Sequence, residues 1–215
     1  MEHPIAVFAG TLVDTQMGVD IVAAAGLPCL AFPVSKDPHE QIGFQISSPE
    51  RKYSHMLAML RDAQAQGCEK AFIYCNSLSA SVDFPALAAE TGMKIVTPLD
   101  VYYDLAPKYQ SLAFIAANAQ GLAGIERVLA STNPKLRFLS AGLMPVVYAI
   151  ETGMDPDELV ERHHLRELAD WFAACGMEAL LLGCTHFPYV KEALARRTSL
   201  PLIDPADEML SRLNG

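Results

Sequence analysis

The chain has 215 residues, of which 51% are hydrophobic and 19% charged, so it can bury a substantial core and is not typical of a disordered protein. Its net charge of −9, without a run of Lys or Arg, argues against nucleic acid and anionic membrane as partners. The amino terminus lacks the pattern of a signal peptide, and the uncharged residues 21–35 are interrupted by glycine and proline. We therefore expect a soluble cytoplasmic protein.

Short apolar runs alternate with helical patterns along the whole chain, which predicts an α/β fold with parallel sheets. We expect strands at eight segments: residues 5–9, 29–34, 71–74, 94–97, 112–116, 136–140, 179–182 and 201–203. A short apolar run between turn signals is typical of a strand that is buried on both faces of a parallel sheet.

Two helices have clear capping signals at their starts. Ser48 precedes Pro49, which predicts a helix that runs to about residue 66. Asp155 precedes Pro156 in the same way, and the adjacent His163 and His164 would then lie on a solvated part of this second helix. The buried face of the second helix is expected to carry Leu165, Leu168, Trp171, Phe172 and Cys175.

The sequence of the first half is repeated in the second half. Residues 69–75 match residues 178–184 at an offset of 109, and residues 5–8 match residues 112–115 at an offset of 107. This repeat predicts two similar parallel-sheet α/β domains related by pseudo-two-fold symmetry, with an active site in the interdomain cleft. We place the first domain at residues 1–98 plus 205–215 and the second at residues 99–204.

Each half carries one cysteine at the carboxyl end of a predicted strand, Cys75 in the first and Cys184 in the second. Open α/β sheets bind their ligands at this end of the strands. The other three, Cys29, Cys68 and Cys175, lie at apolar or helix-end positions and are interpreted as small core residues. An odd number of cysteines without C-x-x-C or zinc spacing indicates reduced thiols and no metal site.

Two thiols that face one substrate from opposite sides are suited to moving a proton across a carbon atom. A thiolate of Cys75 or Cys184 takes the proton from one face, and the other cysteine, as a thiol, returns one to the opposite face. The neighbouring Asn76, Ser77 and Thr185, with backbone N–H groups, are candidates to hold a substrate carboxylate. Simple packing of each cysteine and a disulfide redox pair are the alternatives.

Two motifs carry a resemblance to a known family. The segment LGCTHFPY at residues 182–189 is very similar to the second cysteine motif of glutamate racemases, and CNSLSA at residues 75–80 resembles their first motif. The chain thus resembles the cofactor-independent aspartate/glutamate racemase superfamily over most of its length. The resemblance implies inversion of an amino-acid Cα without pyridoxal phosphate, another cofactor or a metal, with Cys75 and Cys184 as the acid/base groups.

The resemblance also implies roles for residues outside the two cysteine positions. His186 would assist Cys184, and Glu151 would correspond to a glutamate on a helix of the second domain. Asp37 resembles a further acidic position near the site. For Glu151 and Asp37, a solvated or capping carboxylate is the alternative.

The chain departs from glutamate racemases after its first strand. Those enzymes carry Asp-Ser-Gly there, whereas this chain has Ala9-Gly10-Thr11. The carboxylate that assists the first cysteine is therefore missing from its usual place, and Asp14 is the candidate to replace it. Gly10 and Thr11 are candidate substrate contacts.

Two further departures from the glutamate racemase pattern lie where the enzyme should recognise the substrate side chain. Asn118 stands where a Gly-Thr turn is expected and is a candidate substrate contact, and residues 42–45 replace a Tyr-Gly element. The first hypothesis is an amino-acid racemase that acts on a small acidic or related substrate.

The alternatives keep the fold and change the reaction. A hydantoin racemase and a maleate-type cis–trans isomerase stay open, as does a non-catalytic relative that binds a small acid as a sensor. Arylmalonate decarboxylases of this superfamily use a single cysteine, so two cysteines count against that branch. The expected partner is a small amino acid, and a homodimer is an expectation that comes from the superfamily only.

Overall fold

The computed structural model describes residues 3–214, which form two compact units. The first unit contains the chain up to Val101 and the segment from Ala206 onward, and the second unit is Tyr102–Pro205. Each unit has its own four-stranded parallel sheet.

The first unit is built on strands β1 to β4, which are Ile5–Ala9, Cys29–Pro33, Lys70–Ile73 and Lys94–Val96. Helices α1 to α5 are Leu12–Ala24, Pro38–Gln45, Pro49–Ala65, Asn76–Ser81 and Phe84–Thr91. The strand order is β2-β1-β3-β4. All five residues of β1 are buried, because β1 lies between two neighbouring strands and is covered on both faces.

Helix α6, Pro98–Leu105, contains the boundary between the units and leads into a short 3₁₀ helix, Ala106–Lys108. In the second unit, strands β5 to β8 are Ser111–Ala116, Arg137–Gly142, Leu180–Leu182 and Leu202–Ile203. Helices α7 to α11 are Ala119–Thr132, Met144–Glu151, Pro156–Arg162, Leu165–Ala174 and Pro188–Ala195. The last helix, α12 (Ala206–Asn214), returns to the first unit and packs against β3 and β4.

The predicted fold class is confirmed. Each of the eight expected strands is present, with ends that differ from the prediction by at most two residues. The second sheet has the order β6-β5-β7-β8, which repeats the order of the first sheet. The sequence repeat thus corresponds to a repeat of the same sheet topology.

The single helix predicted after Asp155 is wrong, because the chain forms α9 and α10 there instead. His164 adopts φ 54°, in the left-handed region that residues other than glycine rarely occupy, and this turn separates the two helices. Trp171 is 53% exposed, so the buried face of α10 is narrower than its apolar pattern suggests. No helix within residues 3–214 is long and apolar enough to cross a membrane.

The three cysteines outside the motifs do not share one environment. Cys68 is buried, as expected, and burial raises the pKa of its thiol. Cys29 is half-buried, and Cys175 is exposed at the carboxyl end of α10. The prediction that Cys175 is a core residue is therefore wrong, because the chain turns at Gly176 and leaves this helix end in solvent.

Candidate active site

Both sheets have their topological switch point at equivalent strands. With the order β2-β1-β3-β4, the connections that follow β1 and β3 run in opposite directions and leave a crevice at the carboxyl ends of these strands. The equivalent pair in the second unit is β5 and β7. We call the residues that follow β1 and β3 the first half-site and the residues that follow β5 and β7 the second half-site.

In the first half-site, the loop after β1 is organised around Asp14. The Thr11 hydroxyl accepts from the Asp14 N–H, and the Asp14 carboxylate accepts from the Thr11 N–H at 2.5 Å, which together form a capping box at the start of α1. The carboxylate also accepts from the Thr11 hydroxyl at 2.9 Å and from the Gly10 N–H at 3.2 Å. Asp14 is buried and holds this loop in shape, and its assistance to the first cysteine stays a prediction.

Cys75 follows β3 and is 5% exposed. Its carbonyl oxygen accepts from the N–H and the hydroxyl of Ser79, which fixes the turn into α4. The Cys75 Sγ lies 3.5 Å from the Ser77 Oγ, and that oxygen accepts a hydrogen bond from the Gln45 Nε2 at 2.7 Å. Since Ser77 accepts from Gln45, its own proton is available to the sulfur, and a hydroxyl that donates to sulfur favours the thiolate.

Helix α2 places two buried glutamines, Gln41 and Gln45, beside this half-site, and the sequence analysis did not predict them. Asp37 is exposed and accepts from the Glu40 N–H at 2.9 Å, so it caps α2, the alternative that the sequence left open. An Asp before a Pro is a signal for a helix start. A helix that begins there places Gln41 and Gln45 on one face, four residues apart, and both are buried.

The second half-site depends on a glycine at the end of β7. The Gly183 N–H donates to the Ile115 carbonyl oxygen at 2.8 Å. A Cβ at this position would lie 2.8 Å from the same oxygen and would also collide with Ile125 on α7. Only glycine allows this close approach, which places Cys184 directly beyond the sheet, where it is 6% exposed.

Three residues of the second half-site form a chain of contacts. The Cys184 Sγ lies 3.7 Å from the His186 Nδ1, and the His186 Nε2 lies 2.8 Å from the Glu151 Oε1. The side chains of His186 and Glu151 are 5% and 14% exposed. Since a carboxylate only accepts, the imidazole donates from Nε2 to Glu151 and presents Nδ1 to the sulfur. Nδ1 can therefore take the thiol proton, which leaves a thiolate beside an imidazolium that Glu151 stabilises.

The remaining predicted contacts lie at the carboxyl ends of strands or directly beside the cysteines. Asn118 follows β5 and caps α7, where its Oδ1 accepts from the Gly121 N–H at 3.1 Å. Asn76 and Thr185 are buried and each directly follows a cysteine. Their contact with a substrate stays a prediction. Within residues 3–214, no three His, Cys, Asp or Glu side chains are grouped so that they could hold a metal ion.

The fold of this chain is also the fold of known racemases. The family model for Asp/Glu/Hydantoin racemase matches residues 33–213, so the chain belongs to this family.

Curated relatives agree with this assignment. The glutamate racemase of Limosilactobacillus reuteri (strain DSM 20016) is 34% identical over 86 residues, which are 39% of this chain and 32% of the relative. The glutamate racemase of Cupriavidus pinatubonensis is 26% identical over 161 residues, which are 69% of this chain and 56% of the relative. The chain thus spans about a third to just over half the length of these two relatives.

Solved structures share the fold over nearly the whole chain. Glutamate racemase from Francisella tularensis, in complex with D-glutamate, has a TM-score of 0.77 at 20% identity and covers 99% of this chain and 80% of its own. An aspartate racemase homologue from Pyrococcus horikoshii has a TM-score of 0.71 at 13% identity, and the match covers 99% of this chain and 98% of the homologue. Allantoin racemase from Klebsiella pneumoniae has a TM-score of 0.66 at 17% identity, and the match covers 98% of this chain and 86% of the allantoin racemase.

Proposed function

We propose that the protein is a cofactor-independent amino-acid racemase that inverts the Cα of a small acidic or related amino acid. The observation that carries this proposal is the contact chain of Cys184, His186 and Glu151, which provides a thiol with a buried base. A second thiol, Cys75, stands at the equivalent strand end of the other sheet and has a hydroxyl beside its sulfur. Membership of the racemase family and the glutamate racemase relatives support the reaction class.

In the proposed mechanism, the two cysteines act on opposite faces of one substrate carbon. For one enantiomer, the Cys184 thiol first gives its proton to the His186 Nδ1, and the thiolate then takes the α-proton. Cys75, as a thiol, delivers its proton to the opposite face, and the thiolate that remains accepts a hydrogen bond from Ser77. The other enantiomer reacts in the reverse sense, so no proton is gained or lost over the reaction. The proposal requires that both sulfur atoms reach the same carbon.

Removal of the α-proton moves negative charge onto the substrate carboxylate, and stabilising this charge is the main catalytic task. Buried neutral donors that are already in place can do this without reorganisation. We assign the task to Asn76, the backbone N–H of Ser77, Asn118 and Thr185. The N–H groups of Gly10 and Thr11 and the Thr11 hydroxyl already donate to the Asp14 carboxylate. Asp14 then holds the loop that carries Gly10 and Thr11.

A second candidate function is racemisation of a hydantoin or a related cyclic ureide. The family model covers hydantoin racemases, and allantoin racemase from Klebsiella pneumoniae shares the fold. This reaction also inverts a carbon next to a carbonyl and uses the same two thiols. It differs in that the substrate has no free α-carboxylate.

The test is proton NMR in D₂O with enantiopure aspartate, glutamate, other amino acids and substituted hydantoins. Cys75→Ser and Cys184→Ser should each slow the formation of the α-deuterated opposite enantiomer by about 10²–10⁴-fold, the usual contribution of one acid/base group. Cys175→Ser, which changes an exposed thiol, is the matched control and should keep full activity.

The outcomes separate the hypotheses. Near-wild-type inversion of either enantiomer in the serine variant of Cys75 or Cys184 refutes the two-cysteine mechanism. If the protein exchanges the α-proton of hydantoins and of no amino acid, the second candidate function is established. Absence of exchange with every compound would contradict racemisation and favour the isomerase or sensor reading.

A further inference from the structure

Gln41 on helix α2 has a buried amide group that the proposed mechanism does not use. The residue is 5% exposed, and its Oε1 accepts a hydrogen bond from the Ser35 hydroxyl at 2.8 Å. Within the part of the chain that the structure describes, the Nε2 of Gln41 is buried and has no hydrogen-bond partner. A buried donor without a partner is costly, so a group of this kind in a crevice indicates a missing acceptor.

The Gln41 carboxamide lies at the switch point of the first sheet. A Cβ placed on Gly10 would lie 3.1 Å from the Gln41 Nε2, so the amide packs directly against the residue that follows β1. Ser35 stands beside the same residue, because its N–H donates to the Gly10 carbonyl oxygen at 3.0 Å. The unused donor therefore lies in the first half-site.

The distance to Cys75 follows from strand register. Phe8 of β1 is paired with Ile73 of β3, and two further steps along both strands bring Gly10 beside Cys75. Neighbouring strands lie about 4.8 Å apart. Gly10, against which the Gln41 amide packs, thus lies about one strand spacing from Cys75.

The Ser35 hydroxyl also decides which end of the amide is the donor. Since Ser35 donates to Oε1, the carboxamide is held with its oxygen toward Ser35, and the buried NH₂ group lies against Gly10 at the end of β1. The Gln41 NH₂ group is a neutral hydrogen-bond donor, which suits a carboxylate or a carboxamide oxygen as its acceptor.

We propose that Gln41 is a specificity-determining residue whose Nε2 donates a hydrogen bond to an sp² oxygen on the substrate side chain. This inference rests on the proposed racemase function and adds to it the residue that recognises the substrate side chain. The side chain that is recognised is that of an acidic amino acid or its amide, and an aliphatic side chain of the same length leaves the donor unpaired.

The test compares the wild type with Gln41→Glu, which keeps an acceptor for Ser35 and removes the donor. The substrates are aspartate and glutamate, their amides asparagine and glutamine, and the aliphatic 2-aminobutyrate and norvaline. We expect kcat/KM for α-proton exchange to fall about 10- to 100-fold for the substrates with a side-chain oxygen and to change less than about 2-fold for the aliphatic ones. In the wild type, the ratio of kcat/KM for the acids to kcat/KM for their amides tells whether a carboxylate or a carboxamide oxygen is preferred.

Two further variants keep the test decisive. Ser35→Ala removes the group that orients the amide and should lower the same selectivity several-fold if Gln41→Glu does not fold. Gln16→Glu changes an exposed glutamine on α1 in the same way and should have no effect. An equal loss for both substrate groups, or no loss, overturns the role of Gln41.

Calorimetric binding of aspartate and glutamate separates this inference from the proposed function. If the wild type exchanges no α-proton but binds an acidic amino acid, and the neutral variant Gln41→Met weakens that binding at least about 10-fold, racemisation fails and the inference holds. If the variant binds as tightly as the wild type, or the wild type binds neither acid, the inference is overturned.

Discussion

Glu151→Gln is the sharpest perturbation of the second half-site, because it keeps an oxygen that accepts from His186 and removes only the charge. The His186 Nε2 lies 2.8 Å from the Glu151 Oε1. At an effective dielectric constant of about 20, an ion pair at this distance is worth about 6 kcal/mol. Water screens part of this energy at the 14% exposed carboxylate, and the retained hydrogen bond recovers another part. We expect about 3 kcal/mol of stabilisation of the imidazolium to be lost, which lowers kcat about 10²-fold.

The assay is the rate of α-proton exchange between about pH 5 and pH 9. Glu158→Gln is the matched control, because Glu158 forms an exposed pair with Arg162 at 3.6 Å and should contribute less than about 1 kcal/mol. A folded Glu151→Gln enzyme with activity within about threefold of the wild type across this pH range would refute the role of the carboxylate.

Two other predictions concern a hydroxyl and a surface charge. Ser77→Ala should lower kcat about 10-fold at an unchanged KM, whereas Ser77→Thr keeps the hydroxyl and should restore kcat; equal effects of the two substitutions would contradict this role. Hydrogen bonds from Arg197 and Arg196 hold the pKa of Asp157 below its ordinary value of 3.8, so this carboxylate stabilises the fold above about pH 4, and the contribution disappears as the pH falls through the lowered value. In thermal unfolding, Asp157→Asn should therefore have a lower Tm than the wild type at pH 7 and an equal Tm in strong acid, and a gap that persists in acid would show that charge is not the cause.

The strands are predictable from the sequence because a strand buried on both faces reads as an uninterrupted apolar run. All six residues of Ser111–Ala116 are buried, for example. The break at His164 is not predictable in this way, because a left-handed residue other than glycine has no composition signal. Trp171 and Cys175 fit a helical period, but the period does not tell how wide a face its neighbours cover.

The half-sites are predictable to different degrees. Cys184 and His186 lie next to a strand end in one short motif, so local sequence is enough to bring them together. Glu151 lies 35 residues away, and its contact with His186 depends on how α8 packs, which no periodicity reveals. Gln41 and Gln45 resemble solvated residues of a short polar helix, and only the packing of α2 on the first half-site buries them.

The position of α12 has a consequence for the order in which the molecule is assembled. This helix belongs to the first unit, with Met209 and Leu213 fully buried and the Lys70 Nζ donating to the Leu213 carbonyl oxygen at 2.7 Å. The whole second unit precedes it in the chain, and domains generally fold as units during synthesis. On the ribosome, the second unit can therefore fold before α12 has been synthesised, while the surface of β3 and β4 that α12 covers is still exposed. The unit that carries Cys75 is begun first and finished last.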